Sequence, residues 1–136
     1  MILPPSERQL LAWTIWQEAG GEPYQGKLAV AYVVMNRLKV AKSTICREIM
    51  KPWQFSCWNT DSVTRLRLPD AMSPDWEECS RAAMAAVDGT EQDPTNGADH
   101  YLNEATVLRV AGKLPSWYNP KLVTARIGHH TFLRLG

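Results

Sequence analysis

Apolar stretches with helical spacing alternate along the chain with short polar or glycine-bearing breaks. Ser6-Glu7-Arg8-Gln9 has the capping-box pattern, a Ser followed three residues later by Gln, so a helix is expected to begin there. Leu11, Ile15 and Glu18 recur at i, i+4 and i+7, which sets a carboxylate at the C-terminal end of an apolar stripe. Ala19-Gly20-Gly21 supplies the stop. Glu22-Pro23 opens the next segment, with Pro23 suited to a first helical turn. Gly26 to Leu38 is apolar nearly all round and reads as a buried central helix. Its β-branched Val30, Val33 and Val34 allow a strand, but its length and alanines favour helix. Ser43 to Met50 reads as a short helix, with Ser43 as cap and Ile45 and Ile49 one turn apart.

The second half is less regular. Lys51 to Asn59 holds Trp53, Phe55 and Trp58 with a proline and no clean period, as in an ordered loop lined with rings. Thr60 to Met72 is polar and irregular. Ser73-Pro74-Asp75 combines a cap, a first-turn proline and a first-turn acid, and predicts a helix to about Val87 with Gly89 beyond it. Asp93-Pro94-Thr95-Asn96-Gly97 is a turn cluster, and Ala98 to Asn103 reads as a short strand. Val107 to Lys113 either pairs or forms a small helical piece, Pro115 to Pro120 is a loop holding Trp117 and Tyr118, and Arg126 to Arg134 reads as a final strand. No internal repeat, low-complexity tract or linker interrupts the pattern. The expected fold class is α+β, mainly α, with a small antiparallel sheet.

Length makes this a single domain, 1–136, long enough to bury a core without staples. Hydrophobic residues at 45% and charged residues at 21% are ordinary globular chemistry and exclude disorder, collagen and coiled coil. Fifteen Lys+Arg against 14 Asp+Glu leave a net charge of +1, which gives no support to a nucleic-acid or membrane-surface partner. Met1-Ile2-Leu3 runs into Pro4-Pro5 without a basic or apolar leader, and the longest apolar run, Leu28 to Met35, is far short of the roughly 20 residues of a membrane span. The expectation is a monomer made in the cytoplasm without a classical export signal. Cys46, Cys57 and Cys79 are an odd count with no C-x-x-C, and read as thiols in a reducing compartment.

The chemistry centres on Glu18. A carboxyl group that donates a proton at neutral pH needs a raised pKa, which partial burial against apolar side chains supplies. Glu18 ends the Leu11–Ile15 stripe with Trp16 close by in sequence. On spacing alone, a solvated helix-end carboxylate is the commoner case. Glu22, four residues on across two glycines, can be a nucleophile, a base or a structural cap. The structural reading is preferred, since a carboxylate at the start of the next helix meets its N–H groups and dipole.

Four blocks in order change the weighting. Trp16 to Arg37 contains Glu18, then Ala19-Gly20-Gly21-Glu22, then Gly26-Lys27-Leu28-Ala29-Val30-Ala31 and Asn36-Arg37; the others are Gln54-Phe55-Ser56, Asp93 to Tyr101, and Ile127-Gly128-His129-His130-Thr131-Phe132. Together they resemble the SleB/CwlJ-type cell wall hydrolases over about residues 10 to 134. Gly20 departs from the Arg usual there, which removes a charge beside the acid and leaves open how Glu22 is held.

The resemblance implies a lysozyme-like or lytic-transglycosylase-like fold, with a small sheet beside a groove. It implies cleavage of peptidoglycan at the β-1,4 bond between N-acetylmuramic acid and N-acetylglucosamine, with Glu18 as general acid and then base. A lytic transglycosylase needs one carboxylate because the sugar's own 6-hydroxyl attacks the anomeric carbon; a hydrolytic muramidase needs a second. No cofactor is implied. A compact domain read without leader or repeats resembles a phage endolysin that waits in the host cytoplasm and acts on the wall after release. The block containing Gln54 and Phe55 places them at the groove with Trp58, while Trp53 and Trp58 serve equally well as core aromatics. Tyr101 can hydrogen-bond substrate or Glu18, or be a half-buried strand tyrosine. His100 and His130 are further substrate-contact candidates. His129 and His130, as neighbours on one strand, would point to opposite faces and so disfavour a shared metal. Two other classes stay in view: a non-catalytic glycan-binding module, and a metal-dependent peptidase built on the histidines.

Overall fold

The structure is a computed structural model and describes residues 6–49 and 73–136. The elements in chain order are α1 (Glu7–Ala19), α2 (Tyr24–Ala41), α3 (Ile45–Ile49), α4 (Pro74–Asp88), β1 (His100–Leu102), α5 (Glu104–Ala111), a 3-10 turn (Pro120–Leu122), β2 (Val123–Ile127) and β3 (His130–Leu133). The aromatic and polar segments expected as loops between residues 51 and 72 lie outside the described residues.

Local signals account for most helix ends. Ser6 Oγ accepts the Gln9 N–H and the Gln9 side chain accepts the Ser6 N–H, each at 3.2 Å, which forms the capping box. Ser73 Oγ accepts the Trp76 N–H at 3.2 Å ahead of Pro74. Other ends differ from expectation. Gly20 stays right-handed at φ −56°, and the chain leaves α1 through Glu22, whose N–H donates to Ala19 O at 3.0 Å. Pro23 occupies the cap position before α2, not its first turn. Thr44 Oγ1, not Ser43, accepts the Arg47 N–H at the start of α3, and the buried Ser43 hydroxyl makes no hydrogen bond.

α1 and α4 pack on each other and both pack on α2. Leu11 and Ile15 of α1, Leu28 to Val34 of α2, and Cys79, Ala82, Ala83, Ala85 and Ala86 of α4 are buried together. Alanines let α4 approach closely, and each fully buried Leu or Val of α2 contributes roughly 1.5–3 kcal/mol by leaving water. Burial pushes the Cys79 thiol up to about 12, so it is an inert core group. Cys46 is exposed, and Cys57 lies outside the described residues.

One lysine breaks the apolar pattern of α2. Lys27 is 2% exposed, and its Nζ donates to Glu78 Oε1 at 2.9 Å and Asp75 Oδ1 at 3.2 Å, both on α4. Burial opposes the ammonium charge, yet the bonds to Glu78 and Asp75 win and hold its pKa above the usual lysine value.

The sheet is tied to the helices through α2. Asn36 Nδ2 donates to Asp93 Oδ2 at 3.0 Å and to Ala98 O at 2.9 Å, and Arg37 Nε donates to Asp99 O at 2.6 Å. The Asp93 carboxylate also accepts the Thr95 N–H (2.8 Å), the Thr95 hydroxyl (2.7 Å) and the Gly97 N–H (3.1 Å). This turn needs positive φ at Asn96 (58°) and Gly97 (88°), as an Asn-Gly pair provides.

The sheet order is β1-β3-β2, antiparallel throughout, with Tyr101 and Ala125 both opposite Phe132 and Ile127 opposite His130. Of the two readings of residues 107–113 the helical one holds: α5 begins at Glu104, capped by Asn103 Oδ1 accepting the Thr106 N–H at 3.1 Å. One expectation is corrected here. Residues 126–134 are not one strand but parts of two, folded at Gly128-His129. Gly128 has φ +58°, the left-handed value a two-residue hairpin loop takes at its first position. Tyr101, Ala125, Ile127, His130 and Phe132 share the sheet face toward the helices. His100, Leu102 and Thr131 share the other. The α+β, mainly helical expectation holds, and among the described residues no helix is long and apolar enough to cross a membrane.

Asp93→Ala should lower the unfolding free energy by about 2 kcal/mol in a urea titration, since it removes several bonds to a charged acceptor. Burial raises the Asp93 pKa, but its bonds from Asn36, Thr95 and Gly97 hold it below the usual carboxylate value. Its contribution is therefore complete above about pH 4 and is lost as pH falls through the lower folded value. Lys27→Met should cost less than about 1 kcal/mol because Asp75 and Glu78 regain water. The Asp75→Asn/Glu78→Gln double variant should cost about 3–5 kcal/mol, because it strands a buried ammonium.

Candidate active site

A cleft of about 490 Å³ opens where the end of α1 meets the β2–β3 turn. That is within the roughly 300–1,000 Å³ usual for ligand sites. Trp16 to Glu22 form one side; Asp75 at the start of α4, Asn103, His129 and His130 complete it. Glu18 reaches the cleft because it lies one and two turns beyond Ile15 and Leu11, which are fully buried beneath it. Glu18 itself is half-buried.

Glu22 is 8% exposed and does not spend its carboxylate on the start of α2. Oε1 accepts the His129 backbone N–H at 3.0 Å, and Oε2 lies 3.2 Å from His129 Nδ1. Oε1 also lies 3.6 Å from His130 Nδ1. The N-terminal cap expected for Glu22 is therefore replaced by a tie to a turn 107 residues away. Local sequence favours the cap, because the hairpin partner leaves no signal near Glu22.

His130 is 9% exposed, and its Nδ1 has no hydrogen-bond partner among the described residues. Burial holds the imidazole below the usual histidine value against the attraction of Glu22, so the ring is neutral at pH 7. It packs edge-on against Tyr101, with centroids 4.9 Å apart, and against Phe132. The structure also corrects the premise about the histidine pair. His129 sits in the turn rather than on a strand, and both rings reach the same carboxylate. Among the described residues no group of three metal-ligating side chains forms.

Of the residues singled out in the sequence, Glu18, Glu22, His129 and His130 are brought together. Tyr101 stands behind His130 on the same sheet face. His100 is on the opposite face, outside the cleft, with Nδ1 3.0 Å from Asp99 Oδ1 and its ring 5.1 Å from that of Trp117. Trp53, Gln54, Phe55 and Trp58 lie outside the described residues. Asp75 and Asn103 were not anticipated at the cleft. Each already had a complete local explanation, a first-turn acid and a strand end, and only the packing of α4 and α5 brings them there. Asp75 is 60% exposed and anchored from behind by Lys27.

This arrangement of a helix end, a cleft and a three-stranded sheet defines the lysozyme-like fold of SleB-type catalytic domains. The catalytic domain of the germination-specific lytic transglycosylase SleB from Bacillus anthracis superposes with a TM-score of 0.70 at 27% identity, covering 98% of this chain and 100% of that one. The catalytic domain of the Bacillus cereus SleB protein gives 0.71 at 28% identity, covering 97% and 95%. Residues 21–133 match the cell wall hydrolase family (Hydrolase_2), and the chain belongs to that family. A spore cortex-lytic enzyme from Halalkalibacterium halodurans is 35% identical over 126 residues, 91% of this chain and 33% of that protein. The chain thus spans about a third of the length of that relative.

Because the folded His130 binds its proton less readily than the unfolded residue, it contributes stability above about pH 6.5 that is lost as pH falls through its lower folded value. Urea midpoints should drop between pH 7.5 and 5 in the wild type, and the slope should flatten in His130→Gln.

Proposed function

We propose that the chain cleaves the glycan strands of peptidoglycan at the β-1,4 bond between N-acetylmuramic acid and N-acetylglucosamine, as a lytic transglycosylase. Glu18 is the general acid that protonates the leaving oxygen. It then acts as the base that takes the proton of the muramic 6-hydroxyl as that oxygen closes on the anomeric carbon. The family and the SleB likeness support the substrate class. The end of α1 sets Glu18 in the cleft above the buried Leu11 and Ile15.

One observation carries the choice of the single-carboxylate route. Glu22, the second carboxylate in the motif, is almost sealed, with both oxygens turned to the hairpin. A nucleophile or water-activating base needs a lone pair directed at the sugar or its water. A hydrolytic reading has one observation of its own: Asp75 is an exposed carboxylate in the same cleft. The phage-lysis setting rests on the sequence resemblance, whereas the curated relative is a spore cortex-lytic enzyme. A chain acting alone as a monomer fits a cleft built within one protomer.

Digestion of purified peptidoglycan followed by mass analysis separates the routes. The expected products end in 1,6-anhydro-muramic acid, and Glu18→Gln should lower their release by at least ~10² with the fold retained. Reducing-end products lost in Asp75→Asn would establish hydrolysis instead. Glycan binding without any cleavage would establish a binding module.

A further inference from the structure

We propose that Glu22 is a positioning residue of the cleft: its carboxylate latches the β2–β3 turn, and with it His129 and His130, against the end of α1 that carries Glu18. The kinetic part of this rests on the glycan-cleaving reading given above; the latch itself is measured without it.

Two glycines make room for this side chain. A Cβ on Gly26, one turn into α2, would stand 3.0 Å from Glu22 Cβ, tighter than ordinary packing. A Cβ on Gly128 would collide with Glu22 Oε2 and stand 3.0 Å from its Cδ. Gly128 is also left-handed at φ +58°, so the turn has both the shape and the close approach that only glycine allows. The carboxylate is thus clasped between α2 and the hairpin, and it satisfies the His129 N–H at 3.0 Å. The His129 side chain is 79% exposed, and the Nδ1 of His130, unpartnered among the described residues, is 3.6 Å from the same carboxylate. Without the latch, the hairpin keeps its pairing to β1 but loses its bond across the cleft.

The half-buried Glu18 and the buried Glu22 sit four residues apart at the end of α1, so the proton-transfer group and the latch belong to one stretch of chain. A displacement of about 1 Å of one cleft wall is enough to cost ~10² in rate.

The test combines amide exchange with cleavage of soluble glycan strands, using the whole chain. Glu22→Ala is expected to speed exchange of the His129 amide at least tenfold and to lower kcat/KM about 10- to 100-fold. Glu22→Gln is expected to restore slow exchange and to come within about fivefold of wild type, because its carbonyl still accepts the N–H. Gly128→Ala leaves every carboxylate in place but fills the space of Oε2. It should impair His129 amide protection and kcat/KM at least as much as Glu22→Ala, since the left-handed backbone at Gly128 adds its own strain. Gln as inactive as Ala while His129 stays protected would overturn the proposal and make Glu22 a chemical participant. Unchanged His129 exchange in Glu22→Ala or, if that variant does not fold, in Gly128→Ala would also overturn it. If wild type cleaves no glycan yet the exchange pattern follows the latch, the functional reading fails and the latch stands.

Discussion

A buried side-chain amide on the central helix fixes the sheet half of this molecule against the helices. Asn36 Nδ2 donates to the carboxylate that organises the Asp93–Gly97 turn and to the carbonyl of Ala98, which leads into β1. Asn36 is buried, and a buried donor left without acceptors costs about 1–3 kcal/mol, so the turn has one favourable position against α2. Arg37 repeats the tie one residue on, at Asp99. β1 then pairs with β3, and β3 carries the hairpin that borders the cleft. The far wall of the site is therefore positioned from α2 through a strand of three residues.

The cleft is a seam between parts stabilised by different means. One side is the end of a helix rooted in an apolar core. The other is a hairpin whose helix-facing residues, His130 and Phe132, stack with Tyr101. Three carboxylates meet there, and bringing like charges together is unfavourable unless each is held differently. Asp75 is balanced by the ammonium of Lys27 and Glu22 by a backbone amide and neighbouring imidazoles. Glu18 takes its place from the apolar stripe beneath it. The buried lysine, itself outside the cleft lining, sets the charge balance of the α4 side of the cleft through Asp75.

What the sequence made legible was whatever is encoded within a few residues. The Ser6–Gln9 box, the Ser73-Pro74 start, the Gly89 stop and the Asn96-Gly97 turn are local bonds written in local residues. The continuous apolar run of α2 announced its burial. The hairpin at Gly128-His129 was hidden because β-type residues continue on both sides of a turn lacking an Asn-Gly or Asp-Gly pair. Glu22 was misjudged, and the cleft position of the correctly read first-turn acid Asp75 was missed, for one reason: each has a sufficient local role at a helix start, and the partner that overrides or extends it lies far away in sequence. The blocks around Asn36-Arg37 and Asp93–Gly97, which carry the family resemblance, are structural ties in the fold. Motif blocks and cleft lining thus coincide at Glu18 to Glu22 and at His129-His130, and part company at these two ties.

The strand order has a consequence for how the chain comes into being. β3 lies between β1 and β2, yet it is the latest of the three to leave the ribosome. The helical core can collapse while synthesis continues, since α1, α2 and α4 precede the sheet. A chain that stops short of residue 128 lacks β3 and so presents Glu18 with no opposing wall; the middle strand is the one that closes the seam.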